Sequence, residues 1–360
     1  MTTARHAAES QLAAVTYAGP EWMGKANWHS VAETYLFKAV GKPGLYALTR
    51  LMLAVNRRFP DALLNRRYDG LERFMSWVPG VAGTRTERVQ LPNCPAEWTW
   101  NAKNESGTGS SGDAPVVIYF HGSAFIALGI NSHRPLVSHI ARDSGARALS
   151  VGYRLCPRNL VEDAVADGVD AYRYVLSQGV DPDNIVLAGD SAGGFLAAMT
   201  AIAVRDQGLT PPAGCVLISA ATSNDMEPKY AVGKRVGDAM FPVDFLRMIN
   251  EVFLLRNGAR EPGPCPADAD LTGLGPFLLQ VGSQEALRPD SELLAERLVA
   301  AGVPVRLQIF DRAIHVFQVF AMTNPDARRA MGEITEFIKV LPGLAKARRR
   351  PDEVATGLGS

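Results

Sequence analysis

From residue 116 onwards, short apolar runs alternate along the chain with stretches whose apolar residues have helical spacing. The candidate strands are Val116–Phe120, Arg147–Val151, Ile185–Ala188, Cys215–Ala220, Phe277–Val281 and Val305–Phe310. The candidate helices are Arg134–Asp143, Val161–Gln178, Ala192–Gln207, Ser291–Ala301 and Asp326–Leu341. Near-continuous apolar strands that alternate with helices are typical of a parallel sheet covered on both faces. The pattern predicts an α/β fold with a mostly parallel, doubly wound sheet over residues 89–341.

Residues 1–88 have a different pattern, in which apolar residues recur at helical spacing. The segments that show it are Val31–Val40, Leu45–Val55 and Leu63–Trp77, with breaks at Gly41-Lys42-Pro43-Gly44 and Phe59-Pro60. We therefore predict a helical N-terminal cap segment over 1–88. An insertion at about 221–265 interrupts the alternation and is predicted to complete the cap. The basic run 346–350 and the Gly-rich end predict a flexible tail over 342–360.

Composition and charge narrow the functional class. With 37 basic and 37 acidic residues, the chain offers no electrostatic argument for a nucleic-acid partner. The four cysteines are far apart and form no CxxC pair, so the sequence suggests neither a zinc site nor a disulfide framework. The N-terminus has no continuous apolar signal region, and no stretch reaches the ~18 apolar residues that a membrane span needs. We expect a cytoplasmic protein.

The N-terminal segment is mildly basic, with 12 Lys or Arg against 7 Asp or Glu in residues 1–88. Its stretch Leu45–Phe59 is amphipathic and basic, which fits either of two roles. A helix of this kind packs its apolar face on the rest of the protein, or lies on a membrane surface. We expect a small-molecule substrate as the partner. Two further hypotheses are a weak membrane-surface contact through the N-terminal helices and a homodimer.

The sequence Gly189-Asp190-Ser191-Ala192-Gly193 follows a predicted strand and precedes an Ala-rich helix. This is the GxSxG pattern in a strand–turn–helix context. A serine on so tight a turn has an unfavourable backbone conformation and needs neighbours without bulk, which Gly189 and Gly193 provide. The turn also places Ser191 at a helix N-terminus, where backbone N–H groups favour negative charge. Ser191 is therefore the candidate nucleophile.

A serine nucleophile needs a base, and the base needs an acid that fixes its tautomer. His315 follows the last predicted strand, at the sheet edge where open α/β folds bind ligands, and is the candidate base. The other histidines considered, namely His6, His29, His133 and His139, are interpreted as surface or packing residues. Glu285 and Asp290 both follow the strand Phe277–Val281. We favour Glu285 as the acid, because Asp290 has an alternative use as a helix N-cap.

Together, five motifs resemble the hormone-sensitive lipase family of α/β-hydrolases, the bacterial family IV esterases. They are His121-Gly122, Gly189–Gly194, Tyr153–Pro157, Val281–Leu287 and His315–Phe317, and they span about residues 89–341. The resemblance implies an α/β-hydrolase fold with a helical cap and no metal or organic cofactor. It assigns the oxyanion-hole donors to Gly122, Ser123 and Ala192, and makes His121 a loop-orienting residue.

The chain departs from the family pattern at two places that bear on chemistry. Ser123 and Ala124 replace the second and third glycines after His121, which predicts a tighter acyl pocket and argues against esters of tertiary alcohols. The acid position holds Glu rather than the usual Asp. The resemblance implies hydrolysis of short- to medium-chain, aryl or terpenoid carboxylic esters through an acyl-serine. The same triad permits lactone, amide or N-acetyl hydrolysis. A non-catalytic receptor is disfavoured because His315 is present.

Overall fold

The computed structural model describes residues 17–58, 70–104, 114–156, 158–249 and 263–349. Its centre is a nine-stranded sheet with the order β1-β9-β8-β7-β6-β4-β5-β3-β2. The strands are β1 (Glu21–Trp22), β2 (Thr84–Gln90), β3 (Pro95–Asn101), β4 (Val116–Phe120), β5 (Arg147–Val151), β6 (Ile185–Asp190), β7 (Gly214–Ile218), β8 (Phe277–Gly282) and β9 (Val305–Phe310). All neighbours pair in parallel except β2 with β3 and β3 with β5.

Helices cover both faces of this sheet. They are α1 (Trp28–Leu36), α2 (Lys42–Arg58), α3 (Gly70–Phe74), α4 (Ile130–Ser144), α5 (Val161–Ser177), α6 (Ala192–Asp206), α7 (Glu227–Val236), α8 (Val243–Met248), α9 (Arg288–Ala300) and α10 (Pro325–Arg349). Because successive strand residues point to opposite faces, Ile118 packs in the core cluster with Leu196 of α6, and Val117 in the other with Ile334 of α10. The six predicted central strands and the predicted fold class are confirmed.

The chain order places two loops side by side at the carboxyl edge of the sheet. From β4 the chain goes to β5 on one side, and then crosses to β6 on the other side of β4. Phe120 at the end of β4 is in register with Gly189 of β6. In open α/β sheets, ligands bind at such a reversal of strand order. The loops that begin at His121 and Ser191 therefore start beside each other.

The prediction of a purely helical front was wrong at two strands. Residues Glu21–Trp22 form the edge strand β1, which pairs with β9, and the guanidinium of Arg306 donates two 2.8 Å hydrogen bonds to Glu21. Residues Thr84–Gln90 form β2 at the opposite edge. A two-residue strand is too short to show a period, and most side chains of β2 are exposed. Neither strand therefore has the apolar signature of the central strands. The sequence analysis did not predict β3 either.

The predicted helix break at Gly41-Lys42-Pro43-Gly44 was also wrong. A single π-helical turn at Phe37–Gly41 joins α1 directly to α2. Pro43 lies directly after this π-helical turn, where the helix already departs from regular i→i−4 hydrogen bonding. Of the third predicted front helix, residues 70–77 are helical. The remainder, 63–69, lies outside the described residues.

The carboxyl-terminal helix is longer than predicted. α10 runs to Arg349, so the predicted flexible tail was wrong for residues 342–349. Leu344 and Ala345 are buried in the core beneath the sheet, which explains why the helix continues past Pro342. In the predicted insertion, α7 and α8 are helical, while 250–262 lies outside the described residues. No helix within the described ranges combines the length and the hydrophobicity that a bilayer crossing requires.

Candidate active site

Ser191 lies on a tight turn between β6 and α6. Its backbone is in the left-handed region, with φ of 53°, and its amide donates a 2.8 Å hydrogen bond to the carbonyl of Ile218. A Cβ at Gly189 would collide with the backbone of Gly193, and a Cβ at Gly193 would collide with the carbonyl of Phe120. Only glycine fits these two positions. The turn holds Ser191 at the N-terminus of a 15-residue helix.

His315 and Glu285 form a buried pair at the ends of neighbouring strands. His315 Nδ1 lies 2.8 Å from Glu285 Oε2, and both side chains are almost fully buried. The other carboxylate oxygen, Oε1, accepts hydrogen bonds from the Gly282 amide at 2.6 Å and from Ser219 Oγ at 2.8 Å. These donors hold the carboxylate in one orientation, and the carboxylate in turn orients the imidazole.

Ser219 is a residue of this site that the sequence analysis missed. It follows β7, is fully buried, and has φ of 48°. Its hydroxyl donates to Glu285 and accepts a 3.2 Å hydrogen bond from the Val316 amide, next to His315. Ser219 thus ties the acid to the loop that carries the histidine. The signal in the sequence is a serine at the end of the apolar strand Cys215–Ala220. The search for partners of the catalytic base was restricted to acidic residues and did not include serines.

Asp290 has a different environment from the one predicted. It is not an N-cap, because α9 begins at Arg288 and Asp290 is the third residue of the helix. Its carboxylate lies 2.9 Å from Lys229 Nζ and accepts hydrogen bonds from the amides of Thr222 and Ser223. Burial raises the pKa of the Asp290 carboxyl above its usual value, while the charge of Lys229 opposes that rise. The structure brings Glu285, and not Asp290, to His315.

The loop after β4 carries the predicted oxyanion-hole residues. Ser123, Ala124 and Phe125 have φ of 101°, 55° and 65°, so three consecutive L-residues are in the left-handed region. Ser123, Ala124 and Ala192 all line one cavity with Ser191 and His315. The amide of Gly122 instead donates a 3.3 Å hydrogen bond to His133 Nε2. The geometry therefore argues against the predicted use of the Gly122 amide as an oxyanion donor.

His121 lies at the start of the same loop and is buried. Its Nδ1 is 2.8 Å from the Gly122 carbonyl, and its ring stacks on Tyr153 with a 4.2 Å centroid distance. The Tyr153 hydroxyl donates a 2.7 Å hydrogen bond to the His121 carbonyl. Burial lowers the pKa of His121 to about 3, and the neighbouring His133 contributes to this decrease as the second-largest cause. A neutral imidazole with these contacts fits the predicted loop-orienting role.

His133 and Asp190 form a second buried pair below the loop. His133 Nε2 lies 3.4 Å from Asp190 Oδ2, and the Tyr119 hydroxyl donates a 2.7 Å hydrogen bond to Asp190 Oδ1. Burial alone would lower the pKa of His133, but the carboxylate of Asp190 raises it above its ordinary value. Burial likewise opposes ionisation of Asp190, but His133 and the hydrogen bond from Tyr119 bring its pKa below the usual range. The sequence analysis had interpreted His133 as a surface or packing residue.

Ser191 and His315 open onto a cavity of about 590 Å³. Its wall is largely apolar. Phe241 stacks on Phe245 and packs against the His315 ring in a T-shaped arrangement, with a 4.7 Å distance between the Phe241 and His315 centroids. Lys229 also lines the cavity, but its ammonium is paired with Asp290 and donates to the carbonyls of Ser223 and Asp225. The apolar lining residues are Phe37, Leu45, Ala124, Phe125, Ile126, Ala127, Leu128, Ala192, Phe195, Ala221, Met226, Met240, Phe241, Phe245, Leu246, Ile249, Leu287, Val316, Val319 and Phe320.

Among the described residues, no group of three or more His, Cys, Asp or Glu side chains is arranged to hold a metal ion. The four cysteines are all free and buried. Burial raises the pKa of Cys94 and of Cys156 to about 12, so these thiols stay protonated.

Comparison with known proteins identifies the family of this chain. A family model described as alpha/beta hydrolase fold matches residues 117–319, more than half of the chain. An acetyl-hydrolase of Streptomyces hygroscopicus is 34% identical over 255 residues, which are 71% of this chain and 83% of that protein. The esterase LipU of Mycobacterium tuberculosis is 36% identical over 262 residues, which are 71% of this chain and 86% of that protein.

Comparison with solved structures gives the same family as the sequence comparisons. A crystal structure of an esterase from the bacterial hormone-sensitive lipase family superimposes with a TM-score of 0.68 at 33% identity, covering 76% of this chain and 89% of that one. The structure of EstE5, from a crystal soaked with p-nitrophenyl butyrate, superimposes with a TM-score of 0.72 at 29% identity. That match covers 88% of this chain and 100% of the EstE5 chain.

Proposed function

Because this chain belongs to the α/β-hydrolase fold family that includes the bacterial hormone-sensitive lipase-type esterases, we propose that it hydrolyses carboxylic esters. The observation that carries the proposal is the 2.8 Å hydrogen bond between His315 and Glu285, with His315 and Ser191 on the wall of one cavity. A buried histidine that is oriented by a carboxylate, with a partly exposed serine on the same cavity wall, is an arrangement for nucleophilic acyl transfer.

In the proposed mechanism, Ser191 Oγ attacks the ester carbonyl and His315 accepts the hydroxyl proton. The tetrahedral intermediate collapses when His315 returns that proton to the leaving alcohol, which leaves an acyl-serine. Water then attacks the acyl group with His315 as its base, and release of the carboxylic acid restores Ser191. Glu285 orients His315 throughout. The backbone amides of Ser123 and Ala192 remain our oxyanion donors, and Ala124 replaces Gly122 as the third.

The cavity supports an uncharged, apolar substrate of short to medium acyl length or with an aryl group. A volume of about 590 Å³ lies within the ordinary range for small-molecule pockets. Among the lining residues that the structure describes, the one lysine is paired with Asp290, so these residues offer no unpaired ammonium to a charged substrate. Lactones and amides remain alternatives on the same triad. A receptor without catalysis would have no use for the His315–Glu285 pair.

Replacing Ser191 with alanine tests this function. We expect the Ser191→Ala variant to lose turnover of p-nitrophenyl esters and labelling by a fluorophosphonate, while its fold is unchanged. Turnover should be measured over a series of acyl lengths, with lactones and amides in parallel. A protein that hydrolyses none of these substrates and does not react with the fluorophosphonate would contradict the proposal. Labelling that persists in the variant would show that another serine reacts.

The outer surface of the N-terminal helices supports the predicted membrane contact. Trp28, Tyr35, Leu36, Val40, Leu48 and Leu51 are each at least half exposed. Residues 37–58 contain five Lys or Arg and no Asp or Glu. An exposed apolar helix face with basic residues fits a lipid surface with anionic headgroups. Phe37 and Leu45 of the same segment line the cavity, so such contact would be adjacent to the site.

Flotation with anionic phosphatidylglycerol vesicles tests this contact. We expect the wild type to float and a Leu48→Glu, Leu51→Glu variant to remain in solution with its p-nitrophenyl butyrate turnover intact. A wild type that does not bind, but elutes as a dimer that the same variant dissociates, would assign this face to a second copy instead. We also propose a cytoplasmic location, for which the free, buried cysteines are the support.

A further inference from the structure

Two short loops must be held at a fixed distance for this chemistry, and one side chain lies between them. Asp190 is the residue before the nucleophile Ser191. Gly122 is the residue before Ser123 in the loop between β4 and α4, which we call the oxyanion loop. His133 Nε2 lies 3.3 Å from the Gly122 amide nitrogen and 3.4 Å from Asp190 Oδ2. The ring therefore contacts both loops at the residue next to each reacting group.

The ring of His133 is itself fixed from its other side. Its Nδ1 lies 2.9 Å from Ser132 Oγ and 3.2 Å from the Gly129 carbonyl, at the start of α4. Asp190 is fixed by the hydrogen bond from Tyr119. A Cβ at Gly122 would collide with the Asp190 carboxylate, which shows how closely the two loops approach. His133 thus lies between the N-terminus of α4 and both loops, largely buried at the wall of the cavity.

The oxyanion loop needs such an anchor because its backbone is strained. Ser123 and Ala124 occupy the left-handed region, where a residue with a Cβ costs about 1–2 kcal/mol. A loop of glycines would adopt this shape without that cost. Contacts that favour the strained conformation must therefore compensate. The hydrogen bond from Gly122 to His133 is one of these contacts, and it lies beside the residues whose amides face the developing charge.

We propose that His133 is a positioning residue that sets the distance between the nucleophile Ser191 and the oxyanion loop: its Nε2 accepts the Gly122 N–H when the ring is neutral and donates to the Asp190 carboxylate when the ring is protonated. The proposal rests on the proposed function and adds a residue to it. His133 does not touch the substrate's reacting atoms in this role. Its contribution is the placement of the backbone donors at Ser123 and Ala124, which act in the transition state and not in substrate binding.

Two substitutions at His133 distinguish positioning from packing. His133→Leu keeps the bulk but has no acceptor for the Gly122 amide, and we expect kcat to fall about 10- to 100-fold with KM changed less than about threefold. His133→Gln retains an acceptor near the position of Nε2, and should keep kcat within about fivefold of the wild type. The matched control is His139→Leu, six residues further on in α4, which should leave both constants unchanged.

Binding of a trifluoromethyl ketone, which forms a tetrahedral oxyanion with the serine, provides an independent readout. The His133→Leu variant should bind it at least 10-fold more weakly than the wild type, with binding of the product acid unchanged. The melting temperature and fluorophosphonate labelling of each variant show whether Ser191 remains reactive in a folded protein. Equal losses for the Leu and Gln variants, or a loss confined to KM, would overturn the proposal. Failure of the proposed function would instead appear as an inactive wild type.

Discussion

Glu285 and Asp290 illustrate how residue environment assigns roles to two similar side chains. They are only five positions apart in the chain, yet their partners are unrelated. Glu285 binds a histidine and two neutral donors, whereas Asp290 binds a buried ammonium and two backbone amides. The first arrangement orients a base, and the second neutralises a charge. Substitution should therefore affect catalysis at one position and stability at the other.

We expect Glu285→Gln to lower kcat by up to ~10⁴, because the amide nitrogen would face His315 Nδ1 and favour the wrong tautomer. The fold should be retained, since Ser219 and the Gly282 amide still find an acceptor. Asp290→Asn should keep a kcat near that of the wild type and unfold more easily. Measurement of kcat for the two folded variants distinguishes Glu285 from Asp290 as the acid. A folded Asp290→Asn protein without activity, beside an active Glu285→Gln protein, would make Asp290 the acid.

His121 makes stability depend on pH. Its folded pKa is about 3, below the unfolded value of about 6.5. Between these values the unfolded chain binds a proton that the folded chain does not, so the unfolding free energy decreases as the pH falls below 6.5. At pH 5 this single group should destabilise the fold by about 2 kcal/mol. Urea unfolding at pH 7, 6 and 5 measures the slope.

The matched variant for this test is His121→Phe, which keeps a ring against Tyr153 but has no group to titrate. It should lose about 1 kcal/mol at pH 7 from the missing hydrogen bond to the Gly122 carbonyl. Its stability should then decrease less than that of the wild type between pH 7 and pH 5. The same pH slope in both proteins would show that His121 is not held neutral.

At the scale of elements, the oxyanion loop is the part of the molecule in which local sequence preference and conformation disagree. Four non-glycine residues, Ser123, Ala124, Phe125 and Leu128, have positive φ within the connection between β4 and α4. The loop is held by contacts at both ends. Tyr153 donates to the His121 carbonyl at its start, and the Cys156 amide donates to the Phe125 carbonyl at 2.8 Å further along. Such strain is common where a loop is shaped for function.

Ala124→Gly should stabilise the protein by about 1 kcal/mol, because relief of left-handed strain exceeds the added freedom of glycine in the unfolded chain. Ala127 in the same loop is the control, because its φ is not positive. Ala127→Gly should lower stability by roughly 0.4–1 kcal/mol. Chemical denaturation of both variants against the wild type gives the comparison. Two variants that are destabilised alike would mean that Ala124 is not strained.

At the scale of the whole molecule, a buried ion pair joins the 221–265 insertion to the sheet domain. Lys229 lies on α7 of the insertion and Asp290 on α9, and each is about 2% exposed. The amides of Thr222 and Ser223, at the start of the insertion, bind the same carboxylate. The insertion that carries Phe241 over His315 is thus connected to the domain through a few charge-assisted hydrogen bonds.

A double-mutant cycle should show this connection as a coupling. Lys229→Met and Asp290→Asn should each cost about 3–5 kcal/mol, because each leaves the other group buried without its partner. The double variant should be less destabilised than the sum of the two, by about 0.5–3 kcal/mol. Unfolding free energies of the four proteins give the coupling. Strict additivity would show that the two side chains do not interact energetically.

The amino-acid sequence by itself determined the central sheet and the local shape of the nucleophile turn. The strands β4 to β9 are apolar at most of their positions, and this signal is contained within each segment of five or six residues. The turn at Ser191 needs glycine at Gly189 and Gly193 for steric reasons that act over two residues. Patterns with such short range are readable without knowledge of the rest of the chain.

Tertiary structure alone decided the partners of these residues. Ser219 meets Glu285 across 66 positions of the chain, and Tyr119 meets Asp190 across 71. The pairing of Lys229 with Asp290, and the use of the Gly122 amide by His133, likewise depend on which elements become neighbours. The edge strand β1 forms because β9 offers an unpaired edge, not because Glu21–Trp22 prefers an extended conformation. Hydrogen bonds between distant segments leave no periodic pattern in the sequence, since each depends on the positions of both partners in the folded chain.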